Sequence, residues 1–206
     1  MGRTRIRLFQ CPSAPTFEHL TGDYLQGGSI LGLHTYHTLT NITTHYWVAD
    51  YVQAHVYKYL AHTNYLGVAG CGVGLNPEFS RYQGIYTNRS RVSLSNIIAH
   101  DGTSNTLLYG ESSQTEKYNL SWMGVGSLGT YLGLFRSSSN SFLAFSSSHV
   151  SSVPFAFADG SIKMLSFANS SLWSGTPTGN HPDWFALQQL AGWRDGKNLS
   201  ITAIID

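Results

Sequence analysis

The sequence has few charged residues. Only 11% of its 206 residues are Asp, Glu, Lys or Arg, whereas an ordinary soluble domain has roughly 25%. Solubility must then depend on uncharged polar side chains, which is more typical of an exported protein than of a cytosolic one. The formal net charge of +1 argues against a nucleic-acid partner, because such proteins carry a basic patch or stripe. We expect an extracellular or cell-surface location.

Long apolar runs are also missing. No uninterrupted apolar stretch approaches the roughly 20 residues that a membrane-spanning helix needs. The N-terminal sequence MGRTRIRLFQ has basic residues but no apolar segment behind them, so it does not resemble a signal peptide. The sequence predicts no membrane span in this chain, and any targeting segment would lie outside it. The length suits a single core, and we interpret residues 1–206 as one domain.

Cysteine is scarce, and its spacing excludes the usual zinc motifs. Cys11 and Cys71 are the two cysteines of the chain, and neither belongs to a CxxC pair or a Cys/His motif. In an oxidising compartment a disulfide is their natural pairing, and closing a loop of this length would stabilise the fold by about 4 kcal/mol. We predict this disulfide, with two buried free thiols as the alternative.

Regular structure is indicated in several places. The β-branched and aromatic run at 42–48 predicts a strand, and a second strand is expected at 106–109. GIYTNRSRVSLSNI, at 84–97, predicts a strand that runs into a helical turn capped by Ser93 or Ser95, and SWMGVG predicts another strand. Between 112 and 152 Ser and Gly dominate, which indicates long surface loops.

The clearest helix is expected near the C-terminus, at 182–192. Pro182 suits the first turn, Asp183 favours a helix N-terminus, and Gly192 is a typical terminator. An earlier segment, Tyr51 to Tyr59, has apolar residues at helical intervals, so a helix competes with extended structure there. These patterns predict an α+β fold with a mainly antiparallel sheet and a short C-terminal helix.

HVSSVPFAFADGS, at 149–161, contains a histidine and an aspartate that invite a catalytic or metal-binding interpretation. Asp159-Gly160 is a preferred two-residue hairpin turn, however. Its register would place four bulky side chains on one face: Phe155, Phe157, Ile162 and Met164. An extended strand separates His149 from Asp159 by up to roughly 30 Å. We therefore predict a hairpin in which Asp159 forms the turn and His149 anchors a loop.

Catalytic motifs lack their required context. GVGSLG fits GxGxxG, but no good helix follows it, and no Asp or Glu occurs between 117 and 158, where a ribose-binding acid would be expected. GxSxG and HExxH are absent. The sequence thus predicts no enzyme, no catalytic residue and no metal ligand, and the nine histidines fit aromatic-rich packing. One loop leaves calcium open, because Asp101, Thr103 and Asn105 offer oxygens at alternate positions; a hydrogen-bonded Asx-type loop is the alternative.

Asn-x-Ser/Thr sequons are more frequent than chance would give, which suits glycosylation of an exported protein. They begin at Asn41, Asn88, Asn119, Asn169 and Asn198.

Five sequence blocks, in this order, resemble the domain-of-unknown-function 1559 family of bacteria. They are CPSAP at 11–15, NYLGVAG at 64–70, DGTSNTLLYGE at 101–111, SSHVSSVPFAFADGSIKML around His149 and Asp159, and LAGWRDG at 190–196. The family signature is a histidine, nine residues and Asp-Gly, which His149, Asp159 and Gly160 match. Within the third block, the resemblance selects Asp101, Gly102, Asn105 and Glu111 as structural motif residues.

The resemblance implies a pilin-like head domain, since members are similar to type IV pilins and type II secretion pseudopilins. The expected function is then a non-enzymatic structural subunit of a pilus, pseudopilus or related filament. Its expected partners are copies of itself or related subunits, and no cofactor is implied.

Two other functions remain open from the residues. The first is an exported module that binds glycans or another surface ligand through exposed aromatics such as Trp47, Tyr51, Trp122 or Trp173. Aromatic side chains clustered on one concave face would favour this function. The second is a metal-dependent hydrolase built on His149, Asp159 and Asp101.

Overall fold

A computed structural model describes residues 4–14, 29–48, 60–113, 119–124, 126–136, 141–171, 181–196 and 204–205. Its strands are, in chain order, β1 (Ser29–His37), β2 (Ile42–Val48), β3 (Tyr65–Gly70), β4 (Val73–Gly74), β5 (Leu107–Glu111), β6 (Asn119–Leu120), β7 (Ser127–Gly129), β8 (Leu134–Arg136), β9 (Phe145–Ser147), β10 (Ser152–Phe157) and β11 (Ile162–Ser166). Its helices are α1 (Pro77–Ser80), α2 (Leu94–Ile98) and α3 (Pro182–Ala191). The predicted α+β class is confirmed.

The central layer is a five-stranded sheet with the order β11-β10-β5-β3-β7. Its strands pair antiparallel except at the β7 edge, where the pairing with β3 is parallel. A second sheet is built on the long antiparallel pair β1 and β2, with β4 and β6 added in parallel to β1. The short strands β8 and β9 form a separate parallel pair. The Ser/Gly-rich region at 112–152 therefore contains four short strands among its described residues.

Helix α3 confirms the helix predicted at 182–192, and its last helical residue is Ala191. His181 caps it, Pro182 occupies the first turn, and Gly192 ends it. Trp184 and Leu187 are fully buried, and the helix packs against β3 and β5. Because these strands carry the apolar side chains of the main core, the helix closes one side of the central sheet.

The hairpin of β10 and β11 is present, but its predicted register is wrong by one residue. Phe155 pairs with Lys163 rather than with Met164. Since side chains alternate along a strand, this shift moves every side chain of β11 to the other face. Ile162 is consequently 73% exposed, whereas Leu165, on the face shared with Phe155, is fully buried.

Two other local predictions need correction. Residues 84–92 form turns and irregular chain instead of a strand, although Ser93 caps helix α2 as expected. The described residues of SWMGVG form one isolated bridge at Ser121 and a turn, and the strand begins after them, at Ser127. Tyr51 to Tyr59 lies outside the described residues. Among the helices that the structure describes, none combines the length and the apolar character needed to cross a membrane.

Candidate functional site

Three residues from distant parts of the chain meet at one place, which we call the Cys11 cluster: Cys11, Glu111 and His149. The Cys11 Sγ lies 3.8 Å from His149 Nε2. The same nitrogen lies 3.8 Å from Glu111 Oε2. One donor atom from each residue falls within 4.8 Å of the other two. The cluster thus joins a thiol, an imidazole and a carboxylate.

Strand ends position the carboxylate and the imidazole. Glu111 is the last residue of β5, and Ser147 is the last residue of β9. The Ser147 hydroxyl donates to Glu111 Oε2 at 2.8 Å. The same hydroxyl oxygen accepts from the backbone N–H of His149 at 3.1 Å. One serine therefore fixes both the carboxylate and the start of the histidine loop.

The N-terminal segment that carries Cys11 is held by hydrogen bonds to Asn64, which lies just before β3. The N–H of Cys11 donates to Asn64 Oδ1 at 2.9 Å, and the N–H of Asn64 donates to the Phe9 carbonyl at 2.7 Å. The N–H of Ser112 donates to the Asn64 carbonyl at 2.7 Å. A single buried asparagine thereby ties the N-terminal segment to the end of β5.

The electrostatics of the cluster are set by burial. Glu111 is fully buried, whereas 37% of the His149 side chain is exposed. The Glu111 Oε1 atom is buried and has no hydrogen-bond partner among the described residues. Burial, together with the nearby Glu111 carboxylate, raises the pKa of the Cys11 thiol. Burial, together with the neighbouring Cys11 and Glu111, raises the pKa of Tyr65 to about 12.

The predicted disulfide between Cys11 and Cys71 is not formed, and both are buried free thiols. Each sulfur has its own environment. The Cys71 Sγ donates to Gln188 Oε1 on helix α3 at 3.3 Å, inside a second apolar cluster that includes Trp184. The Cys11 sulfur instead faces Glu111 and His149. The alternative of two free thiols is therefore the one that the structure has.

Asp159 and Gly160 lie at the exposed tip of the hairpin and form a turn, as predicted. The loop has three residues, 158–160, and the N–H of Phe157 donates to the Ser161 carbonyl at 2.9 Å. Gly160 has a φ of 84°, which suits the left-handed position that ends such a loop. Asp159 Oδ1 accepts from the Ser161 N–H at 2.8 Å. Of the signature residues, His149 lies next to Glu111, and Asp159 forms the hairpin turn.

Asp101 connects two other blocks of the sequence. Its two carboxylate oxygens accept from the N–H groups of Asp195 and Gly196, both at 3.0 Å. Asn105 donates its side-chain amide to the Asp101 carbonyl at 3.2 Å, and Gly102 has a φ of 82° before a short 3-10 turn. The aspartate thus fixes the loop to the chain that follows helix α3. A calcium ion in this loop stays a prediction.

The Cys11 cluster was missed by sequence reasoning, although all its members were noted for other reasons. No short-range spacing links residues that are far apart in the chain, so no zinc motif could reveal them. The sequence signal that could have found the cluster is the set of five blocks that resemble the pilin-like family. Four of them contribute Cys11, Asn64, Glu111 and His149 to this one place, and the fifth meets the third through Asp101.

An aromatic groove of about 630 Å³ runs over the outer face of the central sheet. Its lining includes these aromatic side chains: Phe9, Tyr65, Tyr86, Tyr109 and Trp122. The Tyr86 hydroxyl donates to the Tyr109 hydroxyl at 2.8 Å. Of the aromatics predicted to bind ligands, Trp122 lines the groove, while Tyr51, Trp173 and the Trp47 side chain lie outside the described part of the structure.

Three of the glycosylation sequons have exposed asparagines. These are Asn41, Asn88 and Asn169. Asn198 and the Asn119 side chain lie outside the described residues.

Comparison of the chain with family models, with curated proteins and with solved structures returned no significant match.

Proposed function

We propose that the chain is the head domain of a pilin-like or pseudopilin-like subunit that assembles with copies of itself, or with related subunits, at the cell surface. It is a structural protein, and its five sequence blocks stabilise the fold. Filament formation, rather than turnover of a substrate, is the activity to be measured.

The observation that carries this proposal is that hydrogen bonds join the five sequence blocks to one another. Asn64 binds the Cys11 segment, and Ser147 binds Glu111. Asp101 binds the chain after α3. The bonds of Asn64 and Ser147 are buried and therefore costly to lose, so these two residues hold distant segments in place. The blocks follow one another in the same order as in the pilin-like family that the sequence resembles. Their contacts give a structural reason for the presence of each block.

The chemistry of the cluster also favours a structural role. A nucleophilic cysteine needs a lowered pKa, because the thiolate is the reactive form. Burial and the Glu111 carboxylate act in the opposite direction on Cys11. The thiol beside His149 therefore lacks the activation that a cysteine hydrolase or transferase requires.

The test is the state of the protein on the cells that produce it. An epitope inserted at the exposed 158–160 loop allows immunogold electron microscopy and chemical crosslinking of the surface fraction. We expect labelled filaments and a ladder of crosslinked oligomers. Labelling of dispersed monomers alone, with no ladder, would contradict the proposal.

A pair of surface variants sharpens this experiment. Ile162 is 73% exposed on the edge strand β11, and Leu39 is 65% exposed on the β1–β2 turn. An exposed apolar side chain on an edge strand favours association. We expect Ile162→Lys to shorten the crosslinking ladder, while Leu39→Lys, the matched control, leaves it unchanged. Equal ladders in both variants would place the contact away from β11.

The aromatic groove favours a second candidate function, an exported module that binds a surface glycan. Sugar rings pack well on aromatic faces, and a site of this volume suits a small ligand. Tyr86 and Tyr109 present two rings with centroids 5.0 Å apart.

Calorimetric titration with a panel of soluble polysaccharides tests the second function. We expect Tyr109→Ala to abolish binding, because 43% of this side chain is exposed in the groove. Tyr36→Ala, outside the groove, is the control. No heat with any polysaccharide, or equal binding by the two variants, would count against this candidate.

A further inference from the structure

We propose that Cys11, Glu111 and His149 form a binding site for a divalent transition-metal ion of the zinc type. The thiolate, one imidazole nitrogen and one carboxylate oxygen would be its three protein ligands. The site is independent of whether the chain forms filaments.

The separations between the donor atoms fit a tetrahedral ion. Zinc bonds of about 2.0–2.3 Å to nitrogen, oxygen and sulfur imply ligand atoms that lie about 3.3–3.8 Å apart in a tetrahedron. The sulfur and the carboxylate oxygen each lie 3.8 Å from His149 Nε2, and all three donors lie within 4.8 Å. Rotations about the side-chain torsions would bring the three donor atoms to these separations.

The unpartnered oxygen of Glu111 is an independent reason to expect a ligand. A buried carboxylate is costly unless its oxygens are satisfied. Oε2 accepts from Ser147, but Oε1 has no hydrogen-bond partner among the described residues. A divalent cation held by the carboxylate would supply the missing stabilisation. Its two positive charges would balance the negative charges of the thiolate and the carboxylate.

The ligand types select the ion. Carboxylate oxygens alone would suit calcium or magnesium, but thiolate and imidazole favour zinc and chemically similar ions. Ser147 would orient the Glu111 carboxylate through its hydrogen bond, as groups bound to metal ligands commonly do. Three protein ligands leave the fourth position for water, and the exposed part of His149 gives the ion a route from solvent.

Binding displaces one proton from the chain. The Cys11 thiol loses its proton to solvent as the sulfur–metal bond forms, and His149 binds through a neutral nitrogen. No oxidant or reductant takes part, since zinc keeps its charge. The bound ion would connect the N-terminal segment with the ends of β5 and β9.

Metal titration of the full chain tests the site. The protein is stripped with a chelator, kept reduced with a phosphine, and titrated with Zn²⁺ in competition with a chromophoric chelator. Co²⁺ then serves as a spectroscopic probe, because a thiolate ligand gives a charge-transfer band in the near ultraviolet. We expect one ion per chain, the charge-transfer band, and an increase in Tm on adding Zn²⁺.

Variants identify the ligands. Cys11→Ser should remove the charge-transfer band. Glu111→Gln and His149→Gln should weaken Zn²⁺ binding by more than the roughly 10–100-fold expected for Ser147→Ala, which removes a hydrogen bond to a ligand rather than a ligand. The matched controls make the same changes elsewhere in the chain: Cys71→Ser, Glu78→Gln and His45→Gln. They should bind like the unchanged protein.

Three results would overturn the proposal. They are the absence of saturable Zn²⁺ and Co²⁺ binding by the unchanged chain, binding that survives in the double variant Cys11→Ser/His149→Gln, and equal losses in the control variants. Circular dichroism checks the fold of each variant. The Co²⁺ spectrum of the unchanged chain reports thiolate ligation by itself, so the test does not depend on every variant folding.

Discussion

The two cysteines occupy two different kinds of protein interior. Cys71 lies in an apolar cluster with Phe79 and Trp184, and its thiol donates to Gln188 on helix α3. Cys11 lies among polar side chains, next to the buried Glu111 carboxylate and the partly exposed His149. Burial raises the pKa of both thiols, but at Cys11 the carboxylate contributes as well.

The difference shows that two regions of one fold are stabilised in different ways. Around Cys71 the stabilisation comes from packing, with a few internal hydrogen bonds. Around Cys11 it comes from hydrogen bonds that join distant segments, and it leaves donor atoms turned toward one another. Substitutions that remove volume should therefore act most strongly at Cys71, and changes in protonation or hydrogen bonding should act most strongly near Cys11.

The largest effect is expected from removing Trp184 in the Cys71 region. This side chain is fully buried, and its indole N–H donates to the Tyr131 carbonyl at 2.7 Å. Trp184→Ala should lower the free energy of unfolding by about 3–5 kcal/mol, measured by urea denaturation. Trp122→Ala, at a half-buried position near the N-terminal segment, is the control and should cost clearly less. Equal losses would remove the distinction between the two regions.

Acid should destabilise the fold at His62, which lies two residues before the asparagine that binds the Cys11 segment. Burial, with a contribution from the charge of Arg5, lowers the pKa of His62 from 6.5 to about 4. The folded chain keeps this imidazole neutral, while the unfolded chain takes up a proton below pH 6.5. Stability is therefore complete above pH 6.5 and falls as the pH drops toward 4, by about 3 kcal/mol.

The measurement is the free energy of unfolding against pH, in the presence of a chelator. His62→Gln should flatten the profile between pH 6.5 and 4. A smaller slope should remain, because burial also lowers the pKa of His37. A profile that keeps its full slope in His62→Gln would show that another group controls the acid response.

A smaller loss is expected from removing the side-chain hydrogen bond between Asn64 and the Cys11 segment. Asn64→Ala leaves the buried N–H of Cys11 without its acceptor, which should cost about 1–3 kcal/mol. Asn88→Ala, the same change at an exposed position, serves as the control. Hydrogen exchange of the Cys11 amide measures the effect directly, and unchanged protection in Asn64→Ala would mean that this bond contributes little.

Local sequence patterns were sufficient for elements whose signals lie within a few residues. Helix α3 has its proline, its terminating glycine and its apolar face within eleven residues, and the structure has it as expected. The hairpin was also found, but its register was not. Gly160 suits either a two-residue or a three-residue loop, and a shift of one residue decides whether Ile162 or Lys163 faces the core.

The Cys11 cluster could not be predicted in this way, because its geometry depends on which strands are neighbours. Glu111 and Ser147 come together only because β5 and β9 end at the same place. The disulfide prediction failed for the same reason. Sequence separation fixes the entropy of loop closure, but it does not say that Cys71 points toward Gln188 while Cys11 points toward His149.

The smallest expected effect distinguishes two free thiols from a disulfide. A disulfide between Cys11 and Cys71 would contribute about 4 kcal/mol, which a reductant would abolish. Because both thiols are free and separately buried, a reductant should leave the free energy of unfolding unchanged. Alkylation in denaturant without reductant should modify both cysteines, as mass spectrometry can count. Resistance to alkylation, together with a loss of stability on reduction, would restore the disulfide and remove the contrast between the two regions.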